Sequence, residues 1–266
     1  MFVLMKKRGL KIISDKLLAE YIKRIQFNPE EKLQSKSKEP IPFDYFEFYT
    51  STSTVYSSKI EGESIDVDSF FKHKFLEVNY EPDYTKRADD LYKAYAFMEE
   101  NKLNKESILK AHEILSKNLL ASNQRGRIRT NPMFVLNDND RIEYIACEPS
   151  SVKGEFELLF LDIEQLLRSE LVTIEIFYFA AFIHLAFVKI HPLQDGNGRT
   201  ARLLEKWFLR KKIGKEATMV ELEKNYYLNR SNYYNNIGKI GLEYESIDYS
   251  KSLDFLLMTI NSLATY

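Results

Sequence analysis

His191-Pro192-Leu193-Gln194-Asp195-Gly196-Asn197-Gly198-Arg199-Thr200-Ala201-Arg202 joins two stretches of different character. Residues 174–189 (IEIFYFAAFIHLAFVK) are apolar nearly all round, as a helix buried among other helices must be. Residues 200–212 place Leu203, Leu204, Trp207 and Phe208 on one helical face. The order is helix, loop, helix. Gly196-Asn197-Gly198 lets main-chain amides turn inward as a nest, and the start of the next helix adds unpaired N–H groups and positive potential, which suits a diphosphate. Arg199 and Arg202 lie three residues apart on one face and both reach toward that nest. Asp195 is a hard oxygen ligand of the kind Mg²⁺ shares with phosphate oxygens. His191, with an ordinary pKa near neutrality, suits proton removal from a hydroxyl that attacks phosphorus. No Gly-Lys-Ser/Thr follows the glycines, which excludes a P-loop, and no strand precedes them, which excludes a dinucleotide fold. No cysteine and histidine cluster accompanies Asp195, so zinc is not expected.

Upstream the pattern is also helical. Residues 11–26 carry Ile13, Leu17, Leu18, Tyr21, Ile22 and Ile25 on one side, predicting a short amphipathic helix. Residues 27–42, with three prolines and many charges, read as a connection lying on the main body. Residues 43–60 (FDYFEFYTSTSTVYSSKI) stop at Glu61-Gly62 like a helix with glycine just outside its end. A carboxylate there faces the wrong end of the helix dipole, so Glu61 either faces water or has a cationic partner. A short helix is expected over 66–73, a proline loop over 79–84, and helices over 85–100 and 104–120, with His112 as a packed histidine.

After Leu120 the periodicity changes. Met133-Phe134-Val135-Leu136 and Arg141-Ile142-Glu143-Tyr144-Ile145 flank Asn137-Asp138-Asn139-Asp140, predicting a β-hairpin inserted in a helical chain. Such a hairpin can offer its edge to an extended peptide. Helices resume over 155–167. Beyond the central motif, helical spacing continues over 215–237 and 253–263.

The chain has 266 residues, with 38 Lys plus Arg against 39 Asp plus Glu, so no global positive charge holds nucleic acid or an anionic membrane. One cysteine, Cys147, excludes an internal disulfide framework. Residues 171–190 approach membrane-spanning length but contain Glu175, His184 and Lys189, and a central buried helix is expected instead. Met1 to Leu10 does not have the order of a signal peptide. The expected location is the cytoplasm.

Residues 191–202 resemble the signature of the Fic family: His-Pro-Phe, any residue, Asp/Glu-Gly-Asn-Gly-Arg, two residues, Arg. Leu193 stands where the family usually has Phe. The resemblance extends over roughly 85–212. It implies a mainly α fold, a Fic-type helical bundle with a small β-hairpin flap over the active site. It also implies transfer of AMP from ATP, with Mg²⁺, to a protein Ser, Thr or Tyr hydroxyl, with release of pyrophosphate. His191 would be the general base and Asp195 the Mg²⁺ ligand. Gly196, Asn197 and Gly198 would cradle the α-phosphate and its neighbour, while Arg199 would bind the β-phosphate and Arg202 the γ-phosphate. Met133, Phe134, Val135, Leu136, Ile142 and Tyr144 would form the flap that docks the target.

Ser57-Ser58-Lys59-Ile60-Glu61-Gly62 resembles the family's inhibitory motif: Ser/Thr, three residues, Glu, Gly/Asn. Its place before the signature resembles the subclass with an N-terminal inhibitory helix, in which Glu61 would pair with Arg202 and Ser57 would add a hydroxyl. The expected organisation is an inhibitory helical region at 1–84, a catalytic core at 85–212 and a helical extension at 213–266 packed on the core. Three alternatives stand beside adenylylation: removal of AMP from a modified protein, transfer from another nucleotide or phosphate-containing donor, and a low-turnover nucleotide-binding regulatory module. Expected partners are a target protein that the sequence does not name, the chain itself through auto-modification, and a second copy in a homodimer, with no membrane and no nucleic acid.

Overall fold

Side-chain caps set where several of the helices begin. In the computed structural model, which describes residues 8–36, 44–80, 85–136 and 141–264, the first six helices are α1 (Leu18–Arg24), α2 (Pro29–Lys36), α3 (Tyr45–Ile60), α4 (Val67–Leu76), α5 (Lys86–Glu100) and α6 (Lys105–Leu115). Asp44, Asp66 and Asn104 each accept a hydrogen bond from the amide three residues on, satisfying an orphan donor in the first turn of α3, α4 and α6. Strands β1 (Phe134–Leu136) and β2 (Ile142–Ile145) follow, paired antiparallel with Phe134 opposite Ile145 and Val135 opposite Tyr144. The remaining helices are α7 (Pro149–Arg168), α8 (Thr173–Ile190), α9 (Asn197–Ile213), α10 (Leu222–Leu228), α11 (Arg230–Gly238) and α12 (Leu253–Asn261). The fold is mainly helical with one small antiparallel sheet close to the signature, as the sequence predicts.

The core is built around α8. Phe177, Phe179, Phe182 and Phe187 are wholly buried, each contributing roughly 2–3 kcal/mol of apolar burial. α8 packs on α7, α9 and α12. It is long and apolar enough to cross a membrane, yet 83% of it is buried inside the fold. Edge-to-face aromatic contacts extend the packing outward, with Tyr21 of α1 on Tyr178 at 5.1 Å between ring centroids and Phe97 of α5 on Trp207 of α9 at 6.1 Å.

Four expectations need correction. The helix expected over 11–26 covers only Leu18–Arg24, because Asp162 of α7 takes the amides of Lys11, Ile12 and Ile13 at 2.7, 2.8 and 2.9 Å and holds that stretch out of a helix. The connection expected over 27–42 contains α2, opened by Pro29, whose missing N–H costs nothing in a first turn. The helix expected over 104–120 ends at Leu115, with Ser116 as its cap. The helical spacing over 215–237 is divided into a 3₁₀ segment at Gly214–Met219, then α10 and α11 with a break at Asn229. The Asn137–Asp140 tetrad, residues 37–43 of the first connection and residues 81–84 of the proline loop lie outside the described residues.

Asp162 is therefore the joint between the N-terminal stretch and the core. Asp162→Ala removes the acceptor of three amides, and the expected loss is about 2–3 kcal/mol. A denaturant midpoint reads the loss, and faster hydrogen exchange confined to residues 11–25 localises it.

Candidate active site

The loop after α8 is set by two left-handed residues. His191 ends the helix at φ 52°, and Gly196 precedes α9 at φ 73°. A side chain on Gly196 would press on Leu115 at 3.3 Å, so position 196 accepts glycine for space as well as conformation. Asn197 closes the loop on itself: its Oδ1 accepts from the Leu193 amide and its Nδ2 donates to the Leu193 carbonyl, both at 2.9 Å. Its side chain is thus spent inside the loop, and what Asn197 offers an anion is its main-chain N–H. The first amides of α9 have no carbonyl one turn earlier in the helix, which leaves them available to an anion.

Neighbouring elements brace this loop. His112 of α6 accepts at Nδ1 from the Gly126 amide and donates from Nε2 to the Asp195 carbonyl, each at 3.0 Å. Burial pushes its pKa down to about 4, so it stays neutral with this tautomer fixed by its partners. Arg129 donates from Nε to the His191 carbonyl at 2.7 Å, from Nη1 to Asn131 at 2.7 Å and from Nη2 to Cys147 at 2.5 Å, and its amide bonds the Pro192 carbonyl. One guanidinium thus ties the signature loop to both feet of the hairpin. His112 was predicted as a packed residue without this role, and Arg129 carries no motif that would single it out.

His191 lies at the mouth of the loop. Its Nδ1 faces the Val188 carbonyl at 3.1 Å, and because a carbonyl only accepts, the proton belongs on Nδ1 and the lone pair on Nε2. Burial pushes its pKa down to about 4, so the ring is neutral near pH 7. Asp195 is exposed, and its Oδ1 takes the Gly196 amide at 2.6 Å. Among the described residues no group of three His, Cys, Asp or Glu gathers to hold a metal. A single exposed carboxylate beside an anion nest does fit Mg²⁺ of the kind held mainly by substrate phosphates and water, and does not fit an all-protein cage.

Glu61 has the cationic partner. Its Oε1 accepts from Arg202 Nη2 at 2.6 Å. Arg202 is wholly buried and also donates from Nε to the Ser57 hydroxyl at 2.9 Å, from Nη2 to the Ser57 carbonyl at 3.1 Å and from Nη1 to the Tyr233 hydroxyl at 3.3 Å. Burial alone would raise the Glu61 carboxyl, but the charges of Arg202 and Arg199 and the hydrogen bond from Arg202 outweigh it and hold the pKa below the ordinary range. A Cβ on Gly198 would stand 2.6 Å from Glu61 Oε1, so the carboxylate already lies against the first turn of α9, where the predicted phosphate cradle is. Gly62, at φ 87°, lets the chain reverse after α3 and brings Glu63 to the same side, where it meets Arg199. Glu63 was not predicted; the only trace of it in the sequence is a second carboxylate two residues after the first.

The hairpin stands beside this site. Phe134 and Ile142 are more than half exposed, at 54% and 57%, and Leu136 is exposed with them. Met133 and Val135 are half-buried. Tyr144, expected among the docking residues, instead turns inward: it is buried, donates its hydroxyl to the Lys189 carbonyl at 2.6 Å and carries the Lys189 ammonium 4.0 Å from its ring centre. It anchors the hairpin to α8. The end of β2 is also held from the C-terminal side, where the Ile145 amide donates to Leu242 at 2.8 Å.

Comparison with known proteins gives one consistent answer. Residues 102–209 match the model of the Fic/DOC family. The fold is similar to a Fic family protein from Desulfovibrio desulfuricans G20, with TM-score 0.68, 19% identity, and 92% of this chain and 69% of that one covered. It is equally similar to a Fic domain containing signaling protein from Bacteroides thetaiotaomicron VPI-5482, with TM-score 0.68, 18% identity and coverage of 89% and 94%. Fic-1 from C. elegans aligns with TM-score 0.60, 19% identity and coverage of 94% and 71%. No curated protein sequence matches the chain significantly. The loop geometry, the helical fold around it and the family match agree, and the chain carries a Fic/DOC family domain over residues 102–209.

Proposed function

We propose that the protein is an autoinhibited protein adenylyltransferase, moving AMP from ATP to a Ser, Thr or Tyr hydroxyl of a protein. The observation that carries the reading is the Glu61–Arg202 contact, an ion pair at 2.6 Å that places a carboxylate against the predicted phosphate cradle. A triphosphate that used Arg202 for its γ-phosphate would meet that carboxylate first. Once Glu61 leaves, the main-chain amides of Asn197 and Gly198 hold the α-phosphate, with the left-handed turn at Gly196 shaping the cradle, while Arg199 takes the β-phosphate and Arg202 the γ-phosphate. The target hydroxyl loses its proton to His191 Nε2 as its oxygen bonds to the α-phosphorus. The bond from that phosphorus to the bridging oxygen breaks, and pyrophosphate leaves. The arginines and amides stabilise charge already oriented by the fold, which is where most transition-state stabilisation arises. Mg²⁺, held by Asp195 and the phosphates, would supply further charge neutralisation. Phe134, Leu136 and Ile142 of the hairpin give a target segment exposed apolar side chains to lie on.

Labelling with α-labelled against γ-labelled ATP tests the reading. Glu61→Gly is expected to raise α-label on protein about 10- to 100-fold, the worth of a hydrogen bond between charged groups. His191→Ala in that background is expected to lower it by about 100-fold or more. No α-label in any variant, or equal label from both forms of ATP, would sink adenylyl transfer.

The pH profile is a second check. His191 works as the neutral ring, which is lost as pH falls through the folded pKa of about 4, whereas an ordinary histidine loses it near 6.5. The transfer rate of Glu61→Gly should therefore stay level from pH 8 down to about 5.5. A fall centred near 6.5 would mean that the base is not His191 as the fold holds it.

A further inference from the structure

Arg199, the other signature arginine, has a carboxylate partner of its own. Glu63 Oε1 lies 2.5 Å from Arg199 Nη2, with the two side chains 14% and 7% exposed. The contact is single-point: Glu63 Oε2 and Arg199 Nε are both buried with no hydrogen-bond partner, so the pair lacks the bidentate geometry that makes such contacts strong. A second cation is already in place. Arg87 of α5, fixed by its Nε donating to the Asn118 carbonyl at 3.3 Å, holds its Nη1 3.9 Å from the same Glu63 oxygen and is half exposed. Glu63 thus stands between a buried arginine of the signature and an arginine at the surface.

We propose that Glu63 is a second gate on the donor site, holding Arg199 as Glu61 holds Arg202 and releasing it by moving toward Arg87. The proposal rests on the adenylyl-transfer reading for the assignment of Arg199 to the β-phosphate and Arg202 to the γ-phosphate. The two gates then act on different parts of the donor. Glu61 opposes a γ-phosphate at Arg202 and also lies against Gly198 of the cradle, whereas Glu63 acts at Arg199, on any nucleotide that carries a β-phosphate. Glu63 is placed on Arg199 and not on the α9 amides that take the α-phosphate. Displacing Glu61 alone therefore leaves the site half closed, with a carboxylate still on Arg199 where the β-phosphate must come.

Calorimetric titration of AMP, ADP and ATP with Mg²⁺ separates the gates, using Glu61→Gly, Glu61→Gly with Glu63→Ala, and Glu61→Gly with Arg87→Ala. Adding Glu63→Ala should tighten ADP at least about tenfold over Glu61→Gly alone, the lower end of what a charged hydrogen bond contributes, while AMP stays within about twofold. Adding Arg87→Ala should weaken ADP, since Glu63 loses its second partner. Removing Glu63 leaves a buried cation uncompensated, so a lower Tm without nucleotide and a larger rise with ADP belong to the same expectation. Glu63→Gln, which removes the charge and keeps the shape, gives the same reading if the alanine variant folds poorly. ADP bound no more tightly in the double variant, or AMP gaining as much as ADP, would overturn the second gate while leaving ATP binding by Glu61→Gly intact. No binding of ADP or ATP by any variant would instead remove the adenylyl-transfer reading, and the gate with it.

Discussion

Arg199 and Arg202 occupy the first turns of α9, the end of a helix where a positive side chain is least favoured, and both are buried. Two guanidinium groups beside unpaired amides and away from water make a concentrated positive site, and a buried charge without a partner is costly. Much of the surrounding structure answers that constraint. Glu61 and Glu63 bring two negative charges from the end of α3, and Ser57 gives Arg202 both its hydroxyl and its carbonyl. On the far side, the Tyr233 hydroxyl lies within reach of Arg202 and also of His184 Nε2 at 3.0 Å, while His184 Nδ1 faces Glu205 at 2.6 Å. Glu205 is wholly buried and takes Tyr226 and Thr259 as further donors. The positive site is thus backed by a polar network that runs through α8, α9, α10, α11 and α12.

The way α3 is seated differs from the way α8 is seated. α8 is fixed mainly by wholly buried phenylalanines, with His184 joining the polar network. α3 buries Ser51, Thr54, Ser57 and Ser58 completely and Thr50, Thr52 and Ser53 nearly so, against only Tyr49, Val55 and Ile60 as buried apolar side chains. Small hydroxyl side chains let the helix come close to α5, α9 and α10 while supplying little apolar area per residue. Two ion pairs hold its end to α9, Glu61 with Arg202 and, just beyond the helix, Glu63 with Arg199.

The sequence makes some of this legible and hides the rest for physical reasons. The central helix is legible because four buried phenylalanines within one apolar run admit no other placement. The end of α3 is legible because Gly62 is the residue a helix needs just beyond its terminus. The 11–17 stretch misleads, since Ile13 and Leu17 have helical spacing but a single distant carboxylate, Asp162, claims the backbone. Tyr144 misleads in the opposite way: alternation in a hairpin says that successive residues face opposite sides, but not which side meets the protein. At the site, the signature residues are adjacent in the chain and so can be read from it. Glu63, Arg129, Tyr233 and Glu205 reach the same place from other elements, and no spacing rule connects them to it.

These partners also separate what builds the site from what covers it. The His191 ring is held by Val188 and its carbonyl by Arg129, the Asp195 carbonyl by His112, and Asn197 by Leu193. None of these partners lies on α3. The left-handed turn at His191 is an unfavourable conformation for a residue with a side chain, and it persists because Arg129 and the Pro192 carbonyl bond fix the loop from outside. On the proposed function, the base, the nest and the carboxylate for Mg²⁺ thus have holders that do not lie on α3, while α3 and the residues just after it supply carboxylates to the two arginines. Activation, on the proposed function, is an exchange of anions at Arg199 and Arg202, carboxylate for phosphate.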